Sequence, residues 1–167
     1  RVVISTWQTA AKMHNSWFHN FGAYICDEAH GADAKSISSI IDKMAHAPFR
    51  MGMTGTLKGT KMHELDMQAR FGNLIRVANT RDLQDSGDLH LEYDKEIDFL
   101  ITHPKRNNLL SKVAVQQEGN TLMLFNFIER HGKVLFDILK PLCEQAGKQL
   151  YYISGETDVD DREEIRQ

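Results

Sequence analysis

The sequence predicts an α/β fold with parallel β-sheets flanked by helices, arranged as two partial lobes. Two observations lead there. Short apolar runs of strand length alternate with stretches of helical period, which is the pattern of βαβ units. An alternating strip around residues 88 to 104 then divides this series in two, each part small for a complete doubly wound domain. The expected organisation is a first partial lobe over 1–88, an extended segment over 89–104 and a second partial lobe over 105–167.

Each element follows from its own residues. Val2 to Ser5 and Ala23 to Cys26 read as buried strands, with short helical turns between Thr6 and Asn20 around Trp7, Trp17 and Phe18. Lys35 to His46 is an amphipathic helix, because Ile37, Ile40, Ile41 and Met44 fall at i, i+3, i+4, i+7. Asp33 is its expected N-cap. Phe49 to Thr54 forms a third strand, ending in the turn Thr54-Gly55-Thr56; Lys61 to Phe71 and Thr80 to Gln84 read as helices. Leu89, Leu91, Tyr93, Ile97, Phe99 and Ile101 all occupy odd positions, an alternation that predicts an extended segment with one buried face. Pro104 ends it by biasing His103 away from helix. Lys105 to Gln117 is then helical, Thr121 to Phe127 a strand, Glu129 to Ala146 a helix closed by Gly147, and Gln149 to Ser154 a strand. Pro141 predicts a kink or break near Leu139, and Asp158 to Gln167 begins another helix.

Composition narrows the class. The 167 residues suit about one domain by length, and 41% hydrophobic residues supply a core, which excludes a disordered or collagen-like chain. No run approaches the ~18 apolar residues of a membrane span. Cys26 and Cys143 lie far apart in apolar surroundings, which points to a reducing cytoplasm and not to a disulfide scaffold. The net charge of −3 provides no global basic field for nucleic acid. The locally basic stretch from Arg50 to Arg81 and the acidic one from Glu156 to Glu164 read as solvated surface. The chain opens directly on an apolar strand at Arg1-Val2 and closes inside a helical pattern without a capping Gly, so it is expected to be cut from something longer.

The chemistry concentrates in Tyr24-Ile25-Cys26-Asp27-Glu28-Ala29-His30. An apolar strand delivers two adjacent acids at its carboxyl end, where open parallel sheets bind ligands. Phosphoryl transfer needs one carboxylate for Mg²⁺ and a group to orient or deprotonate water, and adjacent strand-end residues point in different directions. His30, past the turn, is placed to bond to a neighbouring element. A plain turn cap is the competing explanation of these acids. A metal hydrolase with Asp27, Glu28 and His30 as ligands is another, but no CxxC or second zinc signature accompanies them. About 24 residues on, a second strand delivers Thr54-Gly55-Thr56. One helix fits between, so both strand ends are expected side by side, with the threonines within reach of His30 or Glu28.

These motifs carry a family resemblance. Asp27-Glu28-Ala29-His30 resembles the Walker B element of DEAH-type superfamily 2 helicases, and Thr54-Gly55-Thr56 resembles their motif III, with Gly for the more common Ala. Val3 to Thr9 resembles the strand and turn that touches the nucleic-acid backbone. Leu122 to Phe127 with His131-Gly132-Lys133 resembles motif IV at the start of a second RecA-like lobe. Tyr151 to Thr157 with Arg162 resembles the next strand-turn-helix element. Within the superfamily, Lys35 to Ile41 and Phe125 to Ile138 are most similar to UvsW-like DNA helicases of phages.

The resemblance implies an ATP-dependent DNA helicase core of two RecA-like lobes, acting on branched or double-stranded DNA in recombination, repair or replication. It implies ATP and Mg²⁺ as cofactors. Asp27 would hold the metal, Glu28 would activate water, and His30 would couple to Thr54, Gly55 and Thr56. Thr6, Gln8, Gly155 and Arg162 would lie on the DNA side, although Thr6 to Thr9 also reads as a simple helix N-cap. The chain contains no G-x-x-x-x-G-K-[ST] loop to cradle phosphates; in the family that loop lies upstream of Val3. The isolated chain is therefore expected not to hydrolyse ATP. The alternative is a non-enzymatic nucleic-acid or protein-binding module derived from such a core.

Overall fold

A computed structural model describes residues 1–29, 35–55, 61–75, 93–155 and 157. Their strands are β1 (Val2–Thr6), β2 (Ala23–Asp27), β3 (Phe49–Met53), β4 (Thr121–Phe125) and β5 (Leu150–Ile153). Their helices are α1 (Trp7–Ala10), α2 (Asn15–Phe18), α3 (Lys35–Lys43), α4 (Lys61–Phe71), α5 (Tyr93–Thr102), α6 (Pro104–Gln116) and α7 (Lys133–Gln145). A π-helical turn, Ile128–Gly132, leads into α7.

The strands form one parallel sheet in the order β3-β2-β4-β1-β5. The predicted α/β class with a parallel sheet is what the structure shows. Side chains alternate across the sheet. On one face Val3, Tyr24, Cys26, Leu122 and Leu124 pack with Phe18, Ile37, Ile40, Met44 and Met67 from the helices of the first half. On the other, Val2, Ile4, Ile25, Met123 and Phe125 pack with Leu110 and Ala114 of α6 and with Leu135, Leu139 and Cys143 of α7. Two helical layers thus cover a sheet whose strands β1, β2 and β4 are buried along their whole length, as expected of apolar runs without alternation.

The topology adds one feature that the sequence does not suggest, and two expectations change. Strands from both sides of residues 88–104 share this one sheet, with β4 seated between β1 and β2. Thr121-Leu122-Met123-Leu124-Phe125 has no polar face to give to solvent, and a central position covers both of its faces. The strip expected to be extended over 89–104 is instead helical from Tyr93 to Thr102. Tyr93, Ile97 and Ile101 are spaced by four as well as by two, so the same residues satisfy both periods, and Ile101 is buried while Asp98 and Thr102 are exposed. Pro104 does end that helix, but by opening α6, with His103 Nδ1 accepting from Arg106 N at 3.3 Å as N-cap. Finally, α7 runs through Pro141 without a break near Leu139. Asp33, Thr80 to Gln84 and Asp158 to Gln167 lie outside the described residues.

Candidate functional site

Because all five strands are parallel, their carboxyl ends lie along one edge of the sheet, where Thr6, Asp27, Met53, Phe125 and Ile153 end their strands. Ligands of open parallel sheets bind at such an edge. Asp27 pairs in register with Met53, so Thr54-Gly55 leaves the sheet beside Asp27-Glu28, as the spacing predicted. Gly55 lies against the Leu100 side chain of α5, whose tip would have to shift to admit a Cβ there.

Glu28 stands out in the backbone. It is buried and has φ of 54°, a left-handed conformation that a non-glycine residue adopts at a cost of about 1–3 kcal/mol. Its N–H donates to Asp27 Oδ1 at 3.0 Å, so the aspartate side chain braces the strained turn that follows it.

The Asp27 carboxylate is the centre of a buried polar cluster. Arg106, in the first turn of α6, places Nη1 at 3.0 Å from Oδ2 and donates from Nη2 to Oδ1, a two-pronged ion pair. His131 Nδ1 lies 3.1 Å from Oδ2. The three side chains are 3%, 10% and 1% exposed for Asp27, Arg106 and His131, so water screens this cluster little. His131 is brought in by the π turn, in which Gly132 N bonds back to Phe127 O at 2.8 Å. Such turns recur at functional sites. Burial lowers the His131 pKa below its ordinary 6.5, with the Arg106 charge adding to the effect and Asp27 and Glu28 opposing it. The ring is therefore neutral, and because a carboxylate only accepts, Nδ1 carries the proton. Next to the cluster, burial foremost and the charges of Asp27 and Glu28 push the Cys26 thiol up to about 12, which removes it as a nucleophile.

A carboxylate is the right donor type for Mg²⁺, which takes oxygen ligands. In this arrangement, however, both oxygens of Asp27 are engaged by Arg106, and a divalent ion does not fit beside the guanidinium. Among the described residues no group of three His, Cys, Asp or Glu side chains is placed to hold a metal; the metal-hydrolase reading also needs His30, which lies outside them.

The remaining predicted residues divide. Thr6 is buried and caps α1, accepting from Thr9 N at 3.3 Å and donating to Thr9 Oγ1 at 2.8 Å, so its hydroxyl serves the fold. Gln8 is exposed, and its amide donates to Asn126 Oδ1 at 3.3 Å, which also accepts from Trp7 Nε1 at 3.2 Å. Gly155 is exposed in the turn after β5. His30, Thr56 and Arg162 lie outside the described residues. Arg106 joins the edge without having been singled out by sequence, and Asn126 and His131 join it having been named only within the motif IV resemblance, not as site residues. The one signal for Arg106 is its place three residues after His103, at the start of the helix that Pro104 opens.

Residues 1–59 match the family described as type III restriction enzyme, res subunit. The ATP-dependent DNA helicase uvsW of Enterobacteria phage T4 is 31% identical over 185 aligned residues, covering 96% of this chain and 36% of the relative. This chain thus spans about a third of the curated relative it matches. No solved structure matches it significantly. The chain is thus similar to an ATP-dependent DNA helicase along nearly all of its own length.

Proposed function

We propose, from this relationship, that the chain is the central portion of an ATP-dependent DNA helicase or translocase that acts on branched DNA. The observation that carries the reading is the common edge of the parallel sheet, where Asp27-Glu28, Thr54-Gly55 and the Trp7-Gln8-Asn126 contact stand together. Within the whole protein, Asp27, once free of Arg106, would be the carboxylate for Mg²⁺ of the bound nucleotide, and Glu28 would orient and deprotonate the attacking water. His30 couples these acids to Thr54, Gly55 and Thr56. Gln8, Gly155 and Arg162 face the DNA backbone, where contacts position the protein without reading sequence. Thr6 supports that surface as the cap of α1.

Motif order supports assigning 1–88 and 105–167 to two successive lobes of the whole protein, although their described strands share one sheet here. The soluble host cytoplasm, where the DNA is, is the site of action this reading implies. The isolated chain lacks a phosphate-cradling loop, and so it binds ATP weakly and does not turn it over.

The test uses the complete protein and this chain in parallel. DNA-stimulated ATP hydrolysis and unwinding of a four-way junction are measured against a linear duplex. The proposal expects activity from the complete protein, greater on the junction, and none from this chain. Turnover by this chain alone, or a complete protein indifferent to DNA, contradicts it.

A further inference from the structure

We infer that Arg106 is a built-in stand-in for the divalent cation at Asp27, occupying both carboxylate oxygens so that the guanidinium and a metal cannot be held there together. The inference rests on the reading of Asp27 as the metal-holding carboxylate.

Four observations lead to it. The guanidinium takes both carboxylate oxygens, the same atoms a metal needs, so the two cations exclude one another. A guanidinium stays charged at any accessible pH, so only competition or movement removes it. His131 Nδ1, at 3.1 Å from Oδ2 and 1% exposed, closes the remaining side of the carboxylate. The pair Asp27–Arg106 is thus balanced, and a divalent ion added beside it meets repulsion instead of attraction.

The fourth observation concerns the helix. Arg106 sits in the first turn of α6, where the aligned peptide dipoles present positive partial charge. A cation is disfavoured there on the helix's own account, so its place answers to Asp27. Its backbone N–H is also the one capped by His103, at the junction between α5 and α6. Leu100 of α5, three residues before that junction, packs over Gly55 beside the same strand ends. Releasing the guanidinium therefore frees the first turn of α6 next to the elements that line the edge. This links metal entry at Asp27 to the α5–α6 corner.

Mn²⁺ binding to this chain, read by water-proton relaxation, tests the inference in wild type, Arg106→Gln, Arg106→Lys and Arg106→Gln combined with Asp27→Asn. The expected result is a gain of at least about tenfold in Mn²⁺ affinity for Arg106→Gln, because an opposing charge is removed from the metal's own ligand. The gain should vanish in the double variant. Arg106→Lys, with a single-point charge in place of the fork, should fall between; it carries the test if Arg106→Gln does not fold. Equal, Asp27-dependent Mn²⁺ binding by wild type and all Arg106 variants would sink the stand-in role and leave the reading of Asp27 intact. Mn²⁺ binding that is absent, or indifferent to Asp27→Asn, in every variant would overturn the inference, while the reading of Asp27 stands or falls separately on loss of ATP turnover by Asp27→Asn in the complete protein.

Discussion

Asp27 shows how one side chain answers to several demands. Its carboxylate braces the strained Glu28, accepts from His131 and neutralises Arg106, all within a buried strand end. Removing one partner of such a pair leaves the other charge buried and unpaired, at a cost of about 3–5 kcal/mol. Arg106→Ala should therefore unfold in urea with about that much less stability, with midpoint and slope measured together. Tyr24 gives a milder case on the opposite face. It is fully buried, donates to Arg70 O at 3.0 Å and stacks edge-on against Phe71. Burial raises its pKa from 10.0 to about 12. The folded state thus favours the neutral phenol, a stabilisation present below pH 10 and lost as pH rises through about 12. Tyr24→Phe should lose about 1 kcal/mol at neutral pH for the hydrogen bond and flatten the alkaline decline. Thermal melts from pH 8 to 12 would show a parallel decline in both proteins if Tyr24 played no part.

At the scale of elements, helix α6 is held by its starting cap and by its buried face. His103 caps it through Arg106 N, so His103→Ala should cost about 1 kcal/mol and loosen the turn that carries Arg106. Leu110 is fully buried beneath the sheet, and Leu110→Ala should cost about 2–5 kcal/mol through lost burial and the cavity left behind. Strands and most helices were readable because their apolar residues kept a single period, as Ile37, Ile40, Ile41 and Met44 do in α3. The 93–102 helix was not, because its apolar residues fit both periods. The same limit applies to the site. Asp27, Glu28, Thr54 and Gly55 were legible because strand ends carry a local pattern and a spacing. Arg106 and His131 reach Asp27 from 79 positions away for the arginine and from beyond a π turn for the histidine. Nothing local in the sequence encodes that meeting.

Across the whole molecule, the order β3-β2-β4-β1-β5 means that β1 and β2 touch only through β4. Residues 1–75 expressed alone leave these two apolar strands without their shared neighbour, and they should show no cooperative unfolding transition. The complete chain should show one transition, coincident by Trp fluorescence and far-UV circular dichroism, since Trp7 itself bonds to Asn126 after β4. Non-coincident transitions would mean that the two segments fold apart. The same interleaving gathers residues from positions 8 to 155 on one edge of the sheet.

We propose that Asp27 and Glu28 form the nucleotide-hydrolysing end of that edge. The most direct test is DNA-stimulated ATP turnover by the complete protein with Glu28→Gln, alongside nucleotide binding by a fluorescent ATP analogue. Loss of a general base predicts a fall of about 10²–10⁴-fold in kcat with binding retained. Turnover equal to wild type would contradict the claim.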